Sequence, residues 1–102
     1  MNTTIETYNG WTNRETWATA LHINNDEGLI NPLSEVAKLH ESVNDMADEI
    51  ESFITEVLDF DNVSTNRNAF IMLQDIGSLY RVNWREIAES IMSEAKSEMV
   101  EA

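Results

Sequence analysis

The chain has 102 residues, of which 42% are apolar, and carries 19 acidic against 6 basic side chains for a formal net charge of −13. That length and apolar share are those of one folded domain with a modest core, and they exclude wholesale disorder. The charge excludes a direct nucleic-acid or anionic-membrane surface, which needs clustered Lys and Arg, and the lack of cysteine excludes disulfides and thiolate chemistry.

The opening MNTTIETYNGW has neither the basic nor the apolar segment of a signal peptide. No apolar run approaches the roughly 20 residues of a membrane span, so a cytoplasmic protein is expected. Asn9-Gly10 is a turn signal. Thr12-Asn13-Arg14-Glu15 fits a capping box, in which the Thr hydroxyl and the Glu carboxylate satisfy free N–H groups at a helix start. Trp17, Ala20, Leu21 and Asn24 then recur at helical spacing, which predicts a first helix over about 13–25. Gly28 is expected to end that segment in the left-handed conformation, and Asn31-Pro32 to open the next helix as N-cap and first helical residue.

Val36, Leu39, Val43, Met46, Ile50, Phe53, Val57 and Phe60 form a seven-residue apolar repeat, uninterrupted by Gly or Pro. As one helix, 33–60 would be near 42 Å long at roughly 1.5 Å per residue, too long for so small a globule. Two helices over 32–41 and 44–59 are favoured, the second capped by Ser42 or Asn44. DNVSTNRN at 61–68 reads as a polar loop, and Ala69, Phe70, Leu73, Ile76 and Leu79 as a further helical stripe. Asn83 and Glu86 mark a last helix start with a Val82–Ile87 staple, and Ala88, Ile91, Met92 and Ala95 carry it to about Ser97. The expectation is an all-α bundle of four or five helices in a single domain over 1–102, frayed at 1–8 and 99–102.

The run NGWTNRETW and the later SLYRVNWREIAESI together resemble a family of small, uncharacterised phage and mobile-element proteins. In that family an N-G-W-T-N-x-E-T-W block opens the chain and a V-N-W-x-E-I-A block lies near its end. The resemblance implies a helical fold and a phage-like context, with no activity to carry over. Where that family often bears a large aromatic late in the first helix, this chain has His22.

Trp11 and Trp17 admit two readings. As a partner-binding aromatic, Trp11 would act as a hot spot. As structure, Trp11 closes the turn and Trp17 roots the first helix, and this reading is favoured because the Trp84 helix start carries the same Arg-Glu pair. His22 and His40 have no second His or Cys at ligand spacing, so no metal site is expected. The segment from Asp59 fails as a calcium loop, with Ser64 at the glycine position and Phe70 at the terminal glutamate position. No nucleophile or phosphate-binding loop is recognisable, so neither catalysis nor a cofactor is expected.

The charge is uneven: residues 1–28 carry −3, 29–61 carry −8 and 62–102 carry −2. Glu41, Asp45, Asp48, Glu49, Glu56 and Asp59 face away from the apolar stripe, about one helical turn (roughly 5–6 Å) apart, a separation approaching that of phosphates along one DNA strand. Such a row either keeps the surface solvated or occupies the basic groove of a nucleic-acid-handling host protein as a DNA mimic. The leading expectation is a non-enzymatic accessory protein that binds and modulates a host protein, in its sharpest form a DNA-mimic inhibitor of a host defence enzyme such as a restriction or CRISPR effector. The alternative is a homo-oligomeric adaptor, for instance a homodimer, that uses the 36–60 stripe as a coiled-coil-like seam.

Overall fold

A computed structural model of the chain describes residues 7–100, with the side chains of 98–100 left aside. Six α-helices and one 3-10 turn follow in order. They are α1 (Arg14–Asn24), α2 (Glu27–Ala37), α3 (Val43–Val57), the single turn α4 (Phe60–Val63), α5 (Arg67–Ile76), the 3-10 turn Leu79–Arg81, and α6 (Trp84–Val100). The fold is all-α, as the periodicity predicts. Of the ends expected to fray, 1–6 and 101–102 lie outside the described residues.

The chain enters through a two-residue turn. Tyr8 and Trp11 exchange both backbone hydrogen bonds, at 2.7 and 2.8 Å. Asn9 and Gly10 between them take φ of 50° and 89°, a conformation that suits Asn-Gly and few other pairs. The N-cap of α1 is Asn13, not Thr12. Its Oδ1 accepts from both the N–H and the hydroxyl of Thr16, at 2.8 and 2.7 Å.

The second helix starts five residues before Pro32. Asp26 is its N-cap and accepts from the Gly28 N–H at 2.9 Å, so Gly28 lies in the first helical turn rather than in a left-handed cap, and Pro32 sits inside the helix. Asn31 therefore caps nothing. The early start turns Leu29 inward together with Leu33 and Ala37, all buried. Burial of each such leucine contributes about 1.5–3 kcal/mol, comparable to the roughly 3 kcal/mol an interior proline costs.

The break in the long apolar repeat falls at 38–42. Ser42 caps α3 by accepting from the Asp45 N–H at 3.2 Å. Met46, Ala47, Ile50 and Ile54 are buried, and Phe53 and Val57 pack against them. Leu39 and Phe60, the outlying members of the repeat, instead face solvent at 84% and 77% exposure. Leu39 follows the end of α2, and Phe60 opens α4, so neither shares the frame of α3. The expected loop over 61–68 is divided between α4 and the start of α5, where Asn66 caps the Ala69 N–H at 3.1 Å. Helix α5 stops at Gly77 (φ 85°), which leaves Leu79 to the 3-10 turn.

Helix α6 is the central element, packed against α3, α2 and α1, while α5 covers the other side of α1. The molecule is a slab of 44 × 41 × 21 Å. In so thin a body the outer face of α3 and the junction of α1, α2, α3 and α5 both reach the surface.

Candidate functional site

At 100° per residue, Asp45, Asp48, Glu49 and Glu56 fall within about 100° of arc on α3, opposite the arc holding Met46, Ile50 and Ile54. All four are exposed, as are Glu41 before the helix and Asp59 after it. They do not form one row. Glu41 lies in the 38–42 connection, and Asp59 is occupied as the N-cap of α4, accepting from the Asp61 N–H at 3.2 Å. Glu49 pairs with His40 Nε2 at 3.4 Å. Asp45, Asp48 and Glu56, together with Glu41, have no cationic partner among the described residues.

Most cations are held by groups other than these carboxylates. Arg14 holds Asp75 at 3.1 Å, Lys38 holds Glu35 at 3.2 Å and Arg81 holds Glu15 at 3.2 Å. Arg85 reaches Glu89 and the side-chain Oδ1 of Asn44 on α3, and Lys96 donates to the His40 backbone oxygen. Little positive charge is left to offset the outer face of α3, so its field extends into solvent.

Trp11 is half-buried and closes a cleft with Ala20, Ile23, Ile87 and Ile91 that is too narrow for a water molecule. Trp17 packs against the core, with its ring 4.9 Å from that of Tyr8. The two tryptophan-bearing helix starts interlock. The Asn83 side chain caps α6 at the Glu86 N–H (3.1 Å), as expected, but Glu86 does not return to the Asn83 N–H. Glu86 accepts instead from the Thr12 N–H at 3.0 Å, and the Asn83 N–H donates to the Thr16 hydroxyl at 2.8 Å. The Asn13 amide completes the exchange by donating to the Arg81 carbonyl at 2.7 Å. Beside it, the Glu15 carboxyl is held below its ordinary pKa of 4.5, first by hydrogen bonding to backbone N–H and then by the Arg81 and Arg14 guanidinium groups. The two blocks thus bind each other, which accounts for their composition without a ligand.

A groove of about 720 Å³ opens where the α1–α2 corner meets α3, α4 and α5. Leu29, Ala69 and Met72 are its buried lining, and Phe53 and Val57 are half-buried. Asn25, Asn66 and Asn68 are exposed around it, with Asn62 partly so. These residues come from four helices at no common period, and asparagines at helix ends read as caps, so no local pattern marks the site. His22 lies at its edge, with Nε2 2.9 Å from Asp75 Oδ2. Among the described residues no three His, Asp or Glu side chains are grouped to hold a metal ion, and no helix is long and apolar enough to cross a membrane.

Fold and surface together define a small acidic all-α domain with one charged outer helix face and an adjoining groove. The chain belongs to DUF7249, a family of unknown function whose model matches residues 4–101. No curated protein and no solved structure matched it.

Proposed function

We propose that this chain is a phage-type accessory protein that engages a basic, nucleic-acid-handling host protein through the outer face of α3 and inhibits it without chemistry of its own. The observation that carries this reading is the exposure of Asp45, Asp48 and Glu56 on one face without cationic partners, while five of the six Lys and Arg side chains are held by other groups of the fold. Carboxylates already fixed on a helix need little reordering on binding, and an unneutralised face steers a basic partner at long range. Asp45 and Glu49 are about 6 Å apart along the helix axis, close to one phosphate step along a DNA strand, and Phe53 ends that spacing one turn further on. The DNA-mimic form of the reading covers α3 alone, a helix of 15 residues or about 22 Å.

The oligomeric alternative has less support from the 36–60 stripe. Met46, Ile50, Phe53 and Val57 face the core of one chain, and only Leu39 and Phe60 of the repeat are exposed.

The test is affinity capture from bacterial lysate in a salt series, with the wild type beside a variant carrying Asp45→Lys, Asp48→Lys, Glu49→Lys and Glu56→Lys. The expected result is a basic nucleic-acid enzyme retained by the wild type at low salt, displaced by added DNA, and lost to the still-folded variant. Retention of the same protein by the variant would sink the proposal.

A further inference from the structure

We infer that the groove between the α1–α2 corner, α3 and α5 is a docking site for a basic peptide segment with an apolar anchor, contributed by the protein partner. The inference rests on the proposed function, since it supplies the second half of the same contact. Three observations converge on it.

The first is shape. About 720 Å³ falls within the 300–1,000 Å³ typical of built ligand sites, and Leu29, Phe53, Val57 and Met72 form an apolar lining for one or two large side chains. The second is the chemistry around that lining. The amides of Asn25, Asn62, Asn66 and Asn68 carry both donors and acceptors, which match the alternating C=O and N–H groups of a peptide main chain. Asn66 and Asn62 use only part of that capacity internally: Asn66 Oδ1 caps Ala69, and Asn62 Nδ2 donates to the Val57 carbonyl at 2.6 Å. The third is charge. Asp26 and Glu27 line the groove and are exposed, and Phe53 in its wall lies about 60° around α3 from Glu56. Glu56, at the near edge of the acidic face, therefore borders the apolar opening. A peptide with Lys or Arg on either side of a Phe or Leu fits both parts at once. Ile71, exposed at 43% on α5, adds apolar surface to the groove lining.

The test is titration of the ¹⁵N-labelled full chain, followed by amide chemical shifts, with two synthetic peptides of equal charge. One alternates Lys with Phe, and the other alternates Lys with Ser. The Lys–Phe peptide is expected to shift amides of Leu29, Phe53, Asn66 and Met72, and to keep doing so at about 1 M salt, where the Debye length is about 3 Å. The Lys–Ser peptide is expected to shift only the outer face of α3, and only at low salt. Ile71→Lys and Asn68→Lys, both at exposed lining positions, are each expected to weaken the Lys–Phe peptide by about tenfold or more.

If both peptides shift α3 alone and neither variant matters, the docking site is refuted while the acidic-face reading stands. If neither peptide binds at low salt, both fall. Groove shifts that depend on protein concentration without any peptide would assign the groove to a second copy of this chain and overturn the inference.

Discussion

The Thr16 hydroxyl accepts the Asn83 N–H at 2.8 Å and donates to Asn13 Oδ1 at 2.7 Å, so one fully buried oxygen ties the cap of α1 to the cap of α6. The two residues are 67 positions apart. Thr16→Val keeps the side chain's shape and leaves the Asn83 N–H without its partner, which should cost about 1–3 kcal/mol in urea unfolding. Thr16→Ser retains the oxygen and should cost less. A greater loss for Thr16→Ser than for Thr16→Val would show that the methyl group, not the hydroxyl, carries the effect.

Glu15 gives this junction a pH dependence. Its folded-state pKa lies below 4.5, so across the window just under that value the unfolded chain takes up the proton first. The stabilisation is therefore complete above the ordinary value and lost as pH falls through the folded-state pKa. Glu15→Gln should be less stable than the wild type at neutral pH, and the two should converge as the pH falls through the folded-state pKa of Glu15. Parallel stability curves across that range would count against the assignment.

Helix α3 should separate stability from recognition. Ile50→Ala removes a fully buried side chain and should cost about 2–5 kcal/mol. Asp48→Asn and Glu56→Gln alter exposed groups and should stay within about 0.5 kcal/mol of the wild type in the same thermal or urea scan. Large destabilisation by the second pair would mean that the acidic face is structural.

Pro32 has no N–H for the Gly28 carbonyl one turn earlier, and it is exposed. Pro32→Ala restores the donor and should raise stability by about 1–3 kcal/mol, read as a higher Tm. An unchanged Tm would mean that the proline's restriction of the unfolded chain offsets the missing bond.

Gly77 ends α5 at φ 85° and ψ −84°, with open space where a Cβ would stand. Gly77→Ala should therefore cost about 1–3 kcal/mol through backbone strain alone. Because nothing clashes, a larger residue such as Ser should cost a similar amount, and a loss that grew with side-chain size would point to packing instead.

What the sequence determined by itself is what nearest neighbours along the chain decide. The helical period and the absence of alternation set the all-α class. Asn9-Gly10 specified its turn, and Asn83 its cap, because each depends on contacts within four residues. The acids of α3 were legible as exposed because they oppose an apolar arc of the same helix. Tertiary packing decided the rest. Local rules favoured Pro32 as a helix start, but the burial of Leu29 against the other helices moved that start to Asp26–Glu27. Glu86 had an acceptable local partner in the Asn83 N–H and bonded instead to Thr12, 74 residues away, because α1 and α6 pack side by side. The groove exists only once α1, α2, α3 and α5 meet, and no residue that lines it knows of the others until the chain is folded. The physical reason is range: backbone propensity and capping act within a turn, whereas burial rewards whichever surfaces the assembled helices bring together.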